Sequence, residues 1–243
     1  MSTTYITLTN DLLRRINEVP FATSGDGFDI AKNIQAIAKD AINNAIREIL
    51  QDGHQFPFLK TTTTQTLTAG TGTYDFPTDT ASVDWDTFYL RALASAGNTA
   101  RALSTVPFEQ YIKFYKAIEE NSGTSARTSP SIVYQTSEEK FGVTPIPDAA
   151  YVIEFVYYKF PDDLSAASDP MIIPDRFKHI IIDGAMMYMM RFRSNEQSAQ
   201  IHQQKFKDGI KTMRRLLLDD PIFIRSTFIN KSKSSNNMLS LSS

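Results

Sequence analysis

Three histidines, His54, His179 and His202, are the residues of this chain best suited to acid–base or metal chemistry. Imidazole does either only when further groups converge on it, and short spacings along one helix are the readable form of that convergence. HExxH does not occur, and the chain has no cysteine, which excludes thiolate ligation and disulfide bonds. His202 falls between Glu196 and Asp208 as a scatter over a helix surface. His179 precedes Asp183 by one turn. Such a pair needs a third group to hold a metal or move a proton, and none stands out. As a helix-surface or interface hydrogen bond it needs nothing more.

Asp183 sits within the apolar run IIIDGAMM, where a carboxylate is costly to bury without a partner. Two readings stay open: a buried ion pair at a subunit contact, or a position that faces solvent. No GxxxxGK[ST] or GxGxxG loop is present. The glycines of Ser24-Gly25-Asp26-Gly27-Phe28 read as a connector with a helix cap rather than an anion site. The aromatic residues Tyr111, Phe114, Tyr115, Tyr134, Phe155, Tyr157, Tyr158 and Phe160 have few cations near them, with Glu109, Glu119, Glu120 and Glu154 interspersed. Core and subunit packing accounts for them better than base stacking. The expectation is no catalytic residue, no metal, no cofactor, and no enzyme.

The elements around these residues follow from hydrophobic period. Residues 4–19 read as a helix stopped by Pro20. Residues 29–52 carry the clearest helical stripe: Ile30, Ile34, Ile37, Ala41, Ile42, Ala45, Ile46 and Ile49. The period then changes. TTTTQTLTA (61–69), a short strand after GTGTYDFP, and residues 83–93, 131–135, 140–144 and 151–160 read as strands. In the last, Tyr151, Ile153, Phe155 and Tyr157 share one face. A short amphipathic helix, 107–120, interrupts them. Helices return at 175–193, apolar nearly all round, and at 195–219, with Ile201, Phe206, Ile210, Met213 and Leu217 facing inward. The predicted fold is α+β: a helical bundle from both chain ends (1–59 plus 171–220), an inserted antiparallel β-rich lobe (60–170), and an extended C-terminal tail (221–243). That tail opens with Ile222, Phe223, Ile224, Arg225, Phe228 and Ile229, continues with Lys231 and Lys233, and ends in serine and asparagine. Such a composition orders on binding a partner rather than alone.

The 25 basic and 27 acidic residues leave a net charge of -2. A protein that grips phosphates needs a cationic excess, so weak, salt-sensitive DNA binding is the most to expect. The start MSTTYITLTND lacks the features of a signal peptide, and Ile180–Met190 is far shorter than the roughly 20 residues that cross a bilayer. A cytosolic or virion location follows by elimination.

The order of elements resembles the head-to-tail adaptor family of short-tailed phages, also called tail tubular protein A. TLTNDLLRRINEVPF looks like that family's opening, and the long helix AKDAINNAIREIL leads to Phe56-Pro57-Phe58. IPDRFKHIIIDGAMMYMMRF is similar to its buried late helix, opened by a proline, an acid and an aromatic. KFGVTPIPDAAYVIEFVYYKFP resembles strands found before that helix in neck proteins of marine phages. The resemblance implies a structural subunit made in the host cytoplasm and built into the virion neck. It implies a ring of twelve copies between the portal protein above and a tail nozzle or tail-tube protein below. Genome DNA passes through that channel without sequence-specific binding, and no membrane is involved. It also supplies the portal as a partner for the tail residues Ile222–Lys233, which are expected to dock there or on a neighbouring subunit; from their own spacing and setting, His179 and Asp183 are candidate interface residues. The alternative in the same class is a tail-tube or tail-terminator subunit, whose fold is mostly β. A cell-wall hydrolase needs an acid pair or metal set, and a nucleic-acid regulator a basic face; neither is legible.

Overall fold

The computed structural model describes residues 3–22, 25–52, 55–93, 97–137 and 139–218. Its first helix, α1 (Tyr5–Arg15), buries Tyr5, Leu8, Leu12 and Leu13. The stop comes from Asn17, which adopts a positive φ of 58°. Buried Asn10 then ties down the chain that follows. Its amide nitrogen donates to Phe21 O (3.1 Å), and its amide oxygen accepts from Phe21 N (2.7 Å). An asparagine is needed there because both partners are backbone groups of opposite kind.

Helix α2 (Ile34–Gln51) buries Ala38, Ala41, Ile42, Ala45, Ile49 and Leu50. It starts later than the apolar stripe predicts. Asn33 has φ 53°, which no helix accommodates, and so Ile30 falls in a turn and is 75% exposed. After the strands, α5 (Lys178–Phe192) and α6 (Glu196–Leu217) form a hairpin. Ser194 (φ 56°) makes the turn, and the Asn195 side chain caps α6 by accepting from Ser198 N at 3.1 Å. Buried residues of α1, α2, α5 and α6 share one hydrophobic cluster, together with Phe21, Phe28, Phe56, Leu59, Met171 and Ile173. Helix α6 contributes a narrow stripe to it, Phe206, Ile210 and Met213, with Ala199 also buried on the helix. Ile201 lies off that stripe and is 54% exposed, contrary to the inward position expected of it.

Between the helices lie two four-stranded sheets. The strands are β1 (Lys60–Thr66), β2 (Thr73–Asp75), β3 (Thr80–Leu90), β4 (Arg101–Ala102), β5 (Ser104–Val106), β6 (Ile132–Ser137), β7 (Lys140–Thr144) and β8 (Val152–Lys159). One sheet has the order β1-β8-β3-β4 and is antiparallel; the other has the order β2-β7-β6-β5. The second is not wholly antiparallel as expected, because β5 pairs with β6 in parallel. The chain between them, through residues 107–131, is long enough to return to the same end of the sheet, which a parallel pair requires.

The faces follow the alternation read from sequence. Tyr151, Ile153, Phe155 and Tyr157 are all buried. They join an aromatic cluster between the sheets: Phe155 stacks on Phe88 of its own sheet at 4.7 Å and contacts Phe141 of β7, in the second sheet, edge-on at 5.6 Å. Fully burying each such ring stabilises the fold by roughly 1.5–3 kcal/mol, so this cluster is what holds the sheets face to face.

Helix 107–120 is observed as α3 (Phe108–Tyr111), a π turn (Ile112–Lys116) and α4 (Ala117–Ser122), with no buried residue. The segment after β8 returns to the helices. Asn43 exchanges two hydrogen bonds with the Leu164 backbone, and Tyr5 N and Ile6 N donate to Asp169 O and Ala167 O.

Candidate assembly surfaces

The late helix hairpin carries the residues singled out for chemistry. α5 is enclosed by its neighbours because two glycines let the helices approach. A Cβ on Gly184 would stand 2.7 Å from the Phe206 ring and 2.9 Å from Ala45 Cβ; one on Gly209 would stand 2.9 Å from Ile180. At the rim of this contact Asp183 Oδ1 lies 3.1 Å from His202 Nδ1, both side chains less than one-fifth exposed. The partner of Asp183 is therefore His202 on α6, not His179, and neither solvent nor a second subunit is needed to satisfy it. His179 is exposed on the first turn of α5. Among the described residues no three of His, Cys, Asp and Glu are grouped to hold a metal ion. His54 lies outside the described residues, as do Ile222, Phe223, Ile224, Arg225, Phe228, Ile229, Lys231 and Lys233.

The residues around the hairpin that look distinctive in sequence turn out to be fasteners. The acid of IPDRF, Asp175, accepts from Thr3 N at 2.8 Å, and that bond holds its carboxyl below the ordinary carboxylate range. Arg176 lies over the Phe177 ring, 4.8 Å from its centre. Asp11 reaches Lys178 at 3.5 Å, joining α1 to α5. Asp169 accepts from Ser165 N and Ala166 N, each at 2.8 Å, which lowers its pKa. Ion pairs Arg47–Asp163 and Arg214–Asp52 fix the chain after β8 and the last turn of α6.

A second surface is the helical rod 108–122. It lies on the second sheet through one polar and aromatic clasp. Tyr111 stacks on Tyr134 with ring centres 3.8 Å apart, and Phe108 stacks on Tyr134 at 6.0 Å. Glu119 accepts from Tyr111 OH at 2.9 Å and from Thr144 Oγ1 at 2.5 Å. Tyr134 in turn covers Gly142, where a Cβ would come within 2.2 Å of its ring. Burial, then its bond to Tyr111, pushes the Tyr134 hydroxyl far up, and burial also raises that of Tyr111. Both phenols stay neutral, so Tyr111 keeps the O–H that it donates to Glu119. The rod's other sides expose Ile112, Phe114 and Ile118. On the helical body Val19, Ile30, Phe192, Ile201 and Leu216 are also exposed. Ile112 and Phe114, two positions apart on a helix, face different ways, so these are singly exposed apolar residues on a rod that itself buries no residue. No spacing along the chain reveals this clasp, because Glu119, Tyr134 and Thr144 meet only once the rod lies on the folded sheet.

No helix among the described residues is long and apolar enough to cross a membrane. The family model described as SU10 adaptor protein matches residues 3–225. No curated protein shows significant similarity to the chain.

Proposed function

The chain belongs to the SU10 adaptor family of phage head-to-tail adaptors, structural components of the virion, and from that premise we propose that it forms the neck ring between portal and tail. The match over residues 3–225 carries this reading, since it spans the helices and both sheets together. In it twelve copies close into a ring below the portal protein, continue its DNA channel and present an attachment site to the tail nozzle or tail-tube protein. A closed ring of identical chains uses heterologous contacts, so each copy needs two different faces. The exposed Ile112, Phe114 and Ile118 on the β lobe and the exposed apolar residues of the helical body supply contact groups on different parts of the chain.

The units of this reading are the helical body, 1–59 with 171–220, the β lobe, 60–170, and the tail from 221. The tail residues Ile222–Lys233 dock on the portal or on a neighbouring copy, and His179 with the rim of Asp183 faces a neighbour. No reaction is assigned: the conspicuous carboxylates Asp175, Asp169 and Glu119 are all engaged in holding backbone or hydroxyl groups. The net charge of -2 suits a channel past which DNA slides. Phage assembled without this protein are expected to give DNA-filled heads that lack tails, and adding the purified protein is expected to restore tail attachment. Normal tailed particles formed in its absence would overturn the reading.

A further inference from the structure

We propose that β1, the free edge of the first sheet, receives the C-terminal run 222–229 of a second copy of this chain as an added strand. This rests on the ring reading above and names the place on the neighbour where the tail is held.

The acceptor is an edge without the usual protection. Among the described residues β1 pairs with β8 alone, from Lys60↔Tyr158 to Thr66↔Val152, with no break in register. None of its side chains is buried. Exposed edges template association through their unpaired N–H and C=O groups, and proteins blunt them with proline, bulges, charges or a cover. KTTTTQT has a single charge, at its first position, and no proline. Its threonines hold the backbone extended. The other edge strands, β2, β4 and β5, have three residues or two and offer no comparable length.

The donor is the run IFIRSTFI, rich in β-branched and aromatic residues with Arg225 as its one charge, the composition of a strand. Its reach fits. The Arg214–Asp52 ion pair fixes the last turn of α6 to the end of α2, and β1 begins eight residues after Asp52 in the chain. Eleven residues, 219–229, can span about 36 Å when fully extended, enough to pass from one copy to the next. Copies related by rotation about a ring axis repeat one contact all the way round, so one tail and one β1 edge are available at every contact. Strand addition needs only main-chain hydrogen bonds and no preformed pocket. Tail and edge are different surfaces, as a heterologous contact requires.

The chain has no cysteine, so introduced cysteines report contacts without background. One preparation carries Thr64→Cys on β1. A series carries single cysteines along the tail, Phe223→Cys through Phe228→Cys, to cover every register. The two are mixed, assembled with the portal and oxidised gently. A covalent dimer joining the β1 of one copy to the tail of another is expected, and it is expected to be lost when the second cysteine is moved to Lys207 on the exposed side of α6. Cross-links that form only within one chain, in the double variant Thr64→Cys/Thr227→Cys, would overturn the proposal, as would their absence along the whole series. In both cases wild-type protein that still joins portal as a ring leaves the ring reading intact. Wild-type protein that fails to join the portal at all contradicts that reading instead.

Discussion

At Gly184 two effects of a single methyl group oppose each other. Alanine favours a helix over glycine by about 1 kcal/mol. The added Cβ, however, would meet the Phe206 ring at 2.7 Å and Ala45 at 2.9 Å inside a filled core, and overpacking costs about 1–3 kcal/mol. Gly184→Ala is therefore expected to lower stability in urea denaturation; an unchanged or raised midpoint would show that the helices have room to part. Asp169 gives a pH signature. Two backbone N–H bonds lower its folded pKa, so its stabilisation is full above the unfolded carboxylate value of about 3.9 and is lost as pH falls through the lowered folded value. Asp169→Asn is expected to melt below wild type at pH 7 and to converge with it in acid. A constant gap between the two across that range would contradict the assignment. At this scale the sequence was partly readable. The cost of burying Asp183 was evident, but its partner His202 stands on another helix, and no spacing rule encodes where two helices cross. Asn10 and Asp175 stood out only as motif letters; their role in holding Phe21 and Thr3 is a property of the folded backbone.

Among the elements, the rod 108–122 is the one whose attachment rests on few side chains. Glu119 holds it to the sheet through Tyr111 and Thr144. Glu119→Ala is expected to speed amide exchange through residues 108–122 while β7 and β8 keep their protection. Uniform loss of protection would mean that the rod is integral to the lobe. Period made the long elements legible: β8, with one face wholly buried, and the helices α2, α5 and α6. It failed where an element is too short to show a period, as in β4 and β5, and at the helix start, where Asn33 rather than hydrophobicity decides. The parallel pairing of β5 with β6 was hidden for another reason: strand direction depends on the path of the connection, here the rod itself.

As a whole molecule, the chain joins a helical cluster and an aromatic cluster between two sheets, and its family makes it a phage adaptor. With 27 acidic against 25 basic residues, binding to duplex DNA is expected to be weak and to vanish as salt is raised. Tight binding to one sequence at physiological salt would contradict a passive channel. The exposed apolar residues of the rod, the β1 edge and the exposed residues of the helical body suit an adaptor that associates with portal and tail proteins. The most direct test is the native mass of the purified protein, alone and mixed with portal rings of the same phage. The proposed function predicts a complex of one portal ring with twelve copies of this chain, stable through sedimentation. A chain that stays monomeric and sediments apart from the portal at every ratio would contradict it.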